Sequence, residues 1–171
     1  VVDLPPGTGD AQLTLVQHLP VAGAVVVTTP QPVAVDDARR GLEQFARYDV
    51  PVLGVAENMA GFRCVDCGNT HRIFGDGGGA DLAAEFEVPL LGQVPLDPAV
   101  GDLADEPTAP PGVDVPLVGR LQLPRTREER ETAGTLPPSA LREDGGETRT
   151  AFRSLATRTA ARVAQLAALD R

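Results

Sequence analysis

Short apolar runs alternate with amphipathic helical segments through the N-terminal part of the chain, and this alternation is its strongest constraint on the fold. Ala24–Thr28, Val52–Glu57 and Leu90–Val94 are predicted strands, and Val33–Tyr48 and Ala80–Phe86 are predicted helices. Short links between such elements are typical of βαβ units. The chain has five Phe, one Tyr and no Trp, so Val, Leu and Ala must fill the core, as in sheets buried on both faces. We therefore predict an α/β fold with a mostly parallel sheet flanked by helices.

The charge balance restricts the partners of the chain. The net charge is −9, and all 15 basic residues are Arg. Such acidity argues against binding to a nucleic-acid backbone. No apolar stretch approaches the roughly 20 residues that cross a membrane, and no signal peptide opens the chain. We expect a cytoplasmic protein that binds neither nucleic acid nor membrane. The first residue is Val1, not Met, and it stands inside an apolar run, so we expect a fragment, a processed product or the product of a gene that lost its start.

The alternating pattern divides the chain into three parts. Residues 1–100 form the α/β domain and contain a cysteine knuckle, and residues 101–146 form an irregular segment rich in Pro, Gly and charge. Residues 147–171 form a terminal helix that packs on the domain, with its clearest helical pattern over Thr148–Leu169. The apolar residues of this helix that we expect in the core are Phe152, Leu155, Val163 and Leu166.

The segment DLPPGTGD, Asp3–Asp10, has the composition of a phosphate site. Val1–Val2 reads as the end of a buried strand, so that Asp3 can hold Mg²⁺ through water. The N–H of a glycine in this turn can approach a terminal phosphate because glycine has no Cβ. The alternative is a Pro-Gly loop in which Thr8 or Asp10 caps the following helix.

The two cysteines of the chain stand in a C-x-x-C pair, Cys64 and Cys67, inside a predicted hairpin or knuckle over Phe62–Phe74. Such a pair places two thiolates on one metal, whereas zinc or a cubane cluster usually takes four ligands. A second copy of the chain across a two-fold axis would supply the other two. His71 is a conceivable third ligand, although a lone His near a hairpin is more often solvated. A zinc knuckle or a redox dithiol remains an alternative.

Amide and carboxylate groups follow two of the predicted strands. Asn58 ends one strand, and its amide can both donate to and accept from the edge of a base. Asp97 follows another strand, in the segment VPLDP. The simpler interpretation makes Asn58 a turn amide and Asp97 a helix cap.

These segments together resemble one known family. DLPPGTGD resembles the Walker B and switch II segment of the Mrp family, within the MinD-like group of P-loop ATPases, and TTPQ within Thr28–Arg40 resembles its next motif. VAENMAGF, C-x-x-C-G and IFGDGGG resemble the family's metal-binding segment, with Ala60 where Ser is usual. The resemblance runs without a gap to about Val100.

The resemblance implies roles for particular residues. Asp3 would serve Mg²⁺, Gly7 would sense the terminal phosphate of ATP, and Asp10 would help to place the attacking water. Asn58 would contact adenine, and Pro95 and Asp97 would belong to the loop that closes over the base. Cys64 and Cys67 would bind a 4Fe–4S cluster that bridges a homodimer.

The resemblance also implies a function for the chain. Family members carry iron–sulfur clusters to apo-proteins, coupled to ATP binding and hydrolysis. The family's N-terminal strand and phosphate loop are absent here, and the chain has no Lys, so we expect no ATP hydrolysis by this chain alone. The alternative is a non-catalytic metal-binding or dimerisation module, either a zinc knuckle or a degenerate relative of the ATPases.

Overall fold

A computed structural model gives the architecture of the chain. It describes residues 1–4, 9–64, 67–97, 112–115, 119–122 and 146–169. In chain order the elements are α1 (Asp10–His18), β1 (Ala24–Thr28), α2 (Pro32–Arg47), β2 (Val52–Arg63), β3 (Thr70–His71), α3 (Gly78–Glu85), β4 (Leu90–Leu96), β5 (Gly112–Val115), β6 (Gly119–Gln122) and α4 (Gly146–Leu169). No helix within these described ranges is long and apolar enough to cross a membrane.

The main sheet is mostly parallel, as predicted, and β2 is its middle strand. β1 pairs with β2 in parallel, with Val26 opposite Val55, and β4 pairs with β2 in parallel, with Glu57 opposite Gln93. β3 pairs with the far end of β2 in the antiparallel direction. Since β1, β2 and β4 run the same way, their carboxyl ends meet at one edge of the sheet. In open α/β sheets this is the edge where ligands bind.

Helices α2 and α3 bury the aliphatic core against this sheet. Ala38, Leu42 and Phe45 of α2 are buried, as the helical spacing predicts, and Leu82 of α3 and Val55 of β2 have no exposed surface. Pro32 at the first position of α2 suits a helix start, because its missing N–H has no partner in the first turn. The α/β prediction is therefore confirmed.

The N-terminal residues depart from the sequence prediction. Val1 and Val2, predicted to end a buried strand, lie outside any strand, and Val2 is 61% exposed. They have no strand partner among the described residues, so their apolar character alone does not bury them. Helix α1 begins at Asp10, and its N-cap is Gly9 without a side-chain cap bond. Asp10 is therefore not the N-cap, and Thr8 lies outside the described residues.

The C-terminal part differs from the predicted pattern in detail. Two strands, β5 and β6, form an antiparallel hairpin within the segment expected to be irregular. Helix α4 packs on β4, where a Cβ built on Gly92 would lie 3.6 Å from the Cβ of Leu155. All four apolar residues predicted to face the core from this helix are only half-buried. The helix therefore covers one side of the sheet without being enclosed.

Strand β2 runs six residues beyond its predicted end at Glu57, to Arg63. Met59 has a left-handed backbone with φ 56, and the register with β4 shifts between Asn58 and Phe62. Such an irregularity lets a strand change direction while its pairing continues. The first half of β2 lies in the parallel core, and its last residues form a hairpin with β3.

A buried carboxylate fastens three elements together in the middle of this fold. The side chain of Glu57 on β2 is 1% exposed. Its Oε2 accepts a hydrogen bond from the N–H of Gly79 in the first turn of α3 at 2.6 Å, and its Oε1 accepts one from Nε2 of Gln93 on β4 at 2.7 Å. The N-cap of α3 is Gly77, which has no side chain, so Glu57 supplies a negative group at that helix start. A Cβ on Gly79 would lie 2.9 Å from the Cβ of Glu57, so this approach requires glycine.

We predict that Glu57→Ala destabilises the chain, because it leaves the donors of Gly79 and Gln93 without an acceptor. A buried unsatisfied group costs about 1–3 kcal/mol, so we expect a loss of roughly 2–4 kcal/mol in the free energy of unfolding. Urea denaturation followed by circular dichroism measures it. Glu57→Gln, which keeps the shape and an oxygen for Gly79, is the matched control and should lose clearly less. Equal losses in the two variants would contradict this account.

An ion pair joins α2 to α3 on the surface. Nε and Nη2 of Arg39 donate to the two carboxylate oxygens of Glu85 at 2.9 and 3.0 Å. The hydrogen bond from Arg39 lowers the pKa of Glu85, and its bonds to Glu85 and Asp36 raise the pKa of the Arg39 guanidinium. Both groups are solvent-accessible, so the pair contributes little to stability.

This pair predicts a small pH dependence of stability. The pKa of Glu85 is lower in the folded chain, so its contribution is present above the unfolded value of about 4.3 and is lost as pH falls through the folded value. We expect Glu85→Gln to lower the melting temperature slightly near neutral pH and to match the wild-type chain below the folded pKa. Thermal melts across this range, with Glu43→Gln on α2 as control, measure the difference. A Glu85→Gln effect that persists at the acid end would rule out the ion pair as its source.

Candidate metal and nucleotide site

The hairpin of β2 and β3 forms the knuckle that carries both cysteines. The N–H of Cys64 donates to the carbonyl of Asn69 at 2.9 Å, and the N–H of Gly68 donates to the carbonyl of Cys64 at 2.9 Å. Gly68 has φ 71, a left-handed conformation that glycine adopts without strain. These bonds join Cys64 to Gly68 and Asn69 on the other side of the turn.

The thiols in this knuckle are accessible and not joined in a disulfide. Cys64 is half-buried and Cys67 is exposed. A ring nitrogen of His71 and the two sulfurs all lie within 4.8 Å of one another. The structure brings the thiols of Cys64 and Cys67 close together, and their role as metal ligands stays a prediction. His71, predicted to be a solvated surface residue, is exposed and lies beside them.

The candidate base-binding residues come together at the carboxyl edge of the sheet. Asn58 pairs in register with Val94, so it neighbours the strand end that carries Pro95 and Asp97. The Oδ1 of Asn58 accepts a hydrogen bond from the N–H of Met59 at 2.9 Å. The amide of Asn58 therefore supports the left-handed turn at Met59, which matches the simpler interpretation of this residue, and its Nδ2 is the group left to donate to a base.

Asp97 is tied to the start of helix α4. The hydroxyl of Thr148, which is 3% exposed, donates to Oδ2 of Asp97 at 2.7 Å. Nearby, Nη1 of Arg63 lies 2.6 Å from Oε1 of Glu147. The first turn of α4 is thus fastened both to the end of β4 and to the residue that precedes Cys64.

An open cavity of about 600 Å³ lies beside the pair of Arg63 and Glu147. It is lined by β2, β4 and the first turns of α4, through residues that include Ala60, Arg63, Gln93, Pro95, Glu147 and Thr150. Of the residues predicted to contact a base, Pro95 lines this cavity. Thr70 of the hairpin also lines the cavity, which therefore reaches from β3 to the end of β4.

The predicted phosphate-binding residues are less well placed. Asp3 is exposed and does not follow a strand, because Val1 and Val2 have no strand partner in the described ranges. Gly7 and the side chain of Asp10 lie outside the described residues. The prediction that Asp3 follows the end of a buried strand is therefore wrong for the described residues.

Two positioning residues escaped the sequence analysis. Glu57 is an acid in a predicted strand of otherwise apolar residues, and its side chain is buried. This position in the sequence could have indicated a buried carboxylate with hydrogen-bond partners. Thr148 gave no signal, because its partner Asp97 is distant in sequence.

The fold and the knuckle place the chain among α/β proteins of the P-loop NTPase type that carry a cysteine pair at the surface. The model of the NUBPL iron-transfer P-loop NTPase family, of the ParA group, matches residues 1–134. The chain belongs to this family.

Similar proteins bear related names. The chain is 52% identical over 111 residues to an iron-sulfur cluster carrier protein of Pseudomonas fragi, covering 64% of this chain and 39% of that protein. It is 51% identical over 108 residues to the carrier of Escherichia coli K12, covering 63% and 29%. It is 46% identical over 105 residues to the iron-sulfur cluster transfer protein NUBPL of Mus musculus, covering 61% and 33%. The chain thus spans less than two fifths of each relative.

A solved structure shares the fold. It is a nucleotide-binding protein from Archaeoglobus fulgidus in complex with ADP, in which cobalt was found. It matches with a TM-score of 0.53 and 37% identity, over 60% of this chain and 42% of that one.

We predict that Thr148→Val loosens α4 from the sheet, because it removes the hydroxyl that Asp97 accepts in a buried position. A hydrogen bond to a charged group contributes about 1.5–3 kcal/mol, and we expect a loss in that range on urea denaturation. The matched control is Thr150→Val, since the exposed hydroxyl of Thr150 bonds only within its own helix, to the carbonyl of Gly146. A control variant that loses as much as Thr148→Val would contradict this account.

Proposed function

We propose that this chain binds an iron–sulfur cluster as cargo and transfers it to apo-proteins. The observation that carries the proposal is the closed knuckle that presents Cys64 and Cys67 at the surface in a chain of the iron-transfer family. Thiolates are the usual ligands of such clusters. Cargo bound at an exposed turn can meet the cysteines of an acceptor protein without unfolding of the carrier.

The cluster in this proposal is of the 4Fe–4S type and bridges a homodimer. A cubane cluster takes four thiolates, and one chain offers two. A two-fold axis at the knuckle brings two such pairs together. The side chain of Ile73, two residues beyond His71, is 57% exposed, and an apolar group beside the knuckle suits a surface that a second copy covers.

Nucleotide binding is the second part of the proposal. Asn58, Pro95 and Asp97 lie at the carboxyl edge of the sheet, where α/β proteins bind nucleotides, and we assign them to the adenine. Asp3, Gly7 and Asp10 are assigned to Mg²⁺ and the phosphates of ATP. Their arrangement, and hydrolysis itself, requires a phosphate-binding loop with a Lys, which this sequence does not contain.

A cytoplasmic location belongs to the same proposal. Cys64 and Cys67 are reduced and accessible, and such pairs persist where glutathione and thioredoxin keep thiols reduced. The competing function is that of a metal-binding or dimerisation module without ATPase activity. The imidazole of His71 beside the two thiols favours that reading, because two sulfurs and a nitrogen suit a zinc ion.

Anaerobic reconstitution with iron and sulfide tests the proposal. We expect a brown protein with thiolate-to-iron absorption, at dimer mass by light scattering, with one cluster for two chains. Cys64→Ser should abolish the colour, because it removes half of the cluster's thiolates, and Thr70→Ser, at an exposed position of the same hairpin, should leave it unchanged.

Two results would count against the proposal. A colourless wild-type chain that binds zinc would favour the metal-binding module. A cluster that forms in full on Cys64→Ser would exclude the bridging arrangement. Transfer is then followed by mixing the loaded chain with an apo-ferredoxin and measuring the acceptor's spectrum.

A further inference from the structure

The knuckle brings three metal-binding side chains together within one chain. Cys64 directly follows the end of β2, Cys67 lies in the turn, and His71 lies on β3. Phe62 is the cross-strand partner of His71, and Arg63 is the partner of Thr70. The pairing places His71 on β3 across from the end of β2, next to Cys64.

Their distances suit a single metal ion. The two sulfurs and a His71 ring nitrogen all lie within 4.8 Å of one another. In a tetrahedral site with metal–sulfur bonds of about 2.3 Å, the sulfurs stand about 3.8 Å apart. To bind the ion, the three ligand atoms must move closer together by shifts on the order of 1 Å. Rotation of exposed side chains between rotamers allows shifts of this size.

The imidazole of His71 is available for this role. Within the described part of the chain, no hydrogen bond or ion pair engages its ring. The guanidinium of the neighbouring Arg72 forms an ion pair with Asp76. The positive charge of Arg72 is therefore paired with a carboxylate beside the proposed site. A neutral imidazole supplies a lone pair to a metal without adding charge.

We propose that His71 is a third protein ligand, and that Cys64, Cys67 and His71 bind one divalent ion of the zinc or cobalt class in a single chain. This inference rests on the proposed function in using the same two cysteines, but it needs neither a second chain nor inorganic sulfide. Binding releases the two thiol protons to solvent, and the ion then has two thiolates and one imidazole. The fourth position stays open to water or to a ligand from another molecule.

An open fourth position gives the site a further property. Three protein ligands with one exchangeable position are the pattern of reactive metal sites, whereas sites closed by four are structural. Since Cys67 and His71 are exposed, a thiolate from another protein can reach the ion directly. The site can thus accept or pass on a single ion while the chain is a monomer.

Titration of the reduced, anaerobic full chain with Co²⁺ tests the inference. Cobalt takes the same ligands as zinc, and its tetrahedral thiolate complexes are coloured. We expect one ion per chain by native mass spectrometry, at monomer mass, with the visible bands of tetrahedral cobalt. His71→Ala should weaken binding by about a hundredfold or more, because loss of even an outer partner of a ligand costs about 10–100-fold.

The chain supplies a matched control. His18 is the other histidine of the sequence, and its Nδ1 lies 2.8 Å from the carbonyl of Thr14 in α1. His18→Ala should bind cobalt like the wild-type chain. His71→Cys should restore binding with a stronger sulfur-to-cobalt charge-transfer band, which loss of local folding could not produce.

The outcomes separate this inference from the proposed function. Unchanged cobalt affinity and spectrum in His71→Ala would overturn the inference, and so would a wild-type chain that binds no cobalt. Cobalt binding that depends on His71, in a chain that forms no cluster with iron and sulfide, would support the inference and contradict the proposed function. Dependence on His71 together with a cluster at dimer mass would support both.

Discussion

The part of the structure that carries the candidate sites depends on the hydrogen bonds of the Glu57 carboxylate. This carboxylate lies in the middle strand, at the point where the parallel core ends, and accepts hydrogen bonds from the start of α3 and from β4. A buried charge is tolerated only when its hydrogen-bonding capacity is used. Glu57 meets that condition with partners from two different elements, so it fixes their positions relative to β2. The next residue along the strand is Asn58, and the knuckle follows a few residues later.

A single strand therefore connects the two candidate sites. β2 contributes Val55 to the core, Asn58 to the carboxyl edge of the sheet and Arg63 to the base of the knuckle. The left-handed residue Met59 separates the half of the strand that packs in the core from the half that pairs with β3. Helix α4 is attached beside the second half of β2, through Thr148 to Asp97 at the end of β4 and through Glu147 to Arg63. The cysteine knuckle and the candidate base-binding edge thus share strand β2 and helix α4 as supports.

The hydrophobic pattern of the sequence predicted most of the α/β core. It did not predict the features that depend on how distant parts of the chain pair. The strand Ala24–Thr28 and the buried face of α2 follow directly from their spacing. β2 was predicted too short, because Asn58 and Gly61 interrupt its apolar run, while the structure accommodates them in an irregular pairing with β4. Val1 and Val2 have strand-like composition, but burial requires a partner strand, which the described residues do not supply.

The candidate sites were predictable to different degrees. The C-x-x-C spacing by itself indicated a paired-thiol site, since that spacing closes a tight loop. The approach of His71 was not readable from spacing, because it depends on the cross-strand register of a two-residue strand. The tie between Thr148 and Asp97 was equally hidden, because it joins residues that only the packing of α4 brings together.

The exposure of the knuckle also affects its chemistry in air. Cys67 is exposed, so peroxide and oxygen can reach its sulfur as a protein partner can. Because the two sulfurs stand within 4.8 Å of each other, a sulfenic acid formed on one meets the other thiol before further oxidation. The product is an internal disulfide, which thioredoxin-type reductants reverse. The short spacing of the two sulfurs therefore protects the metal-free chain from irreversible oxidation.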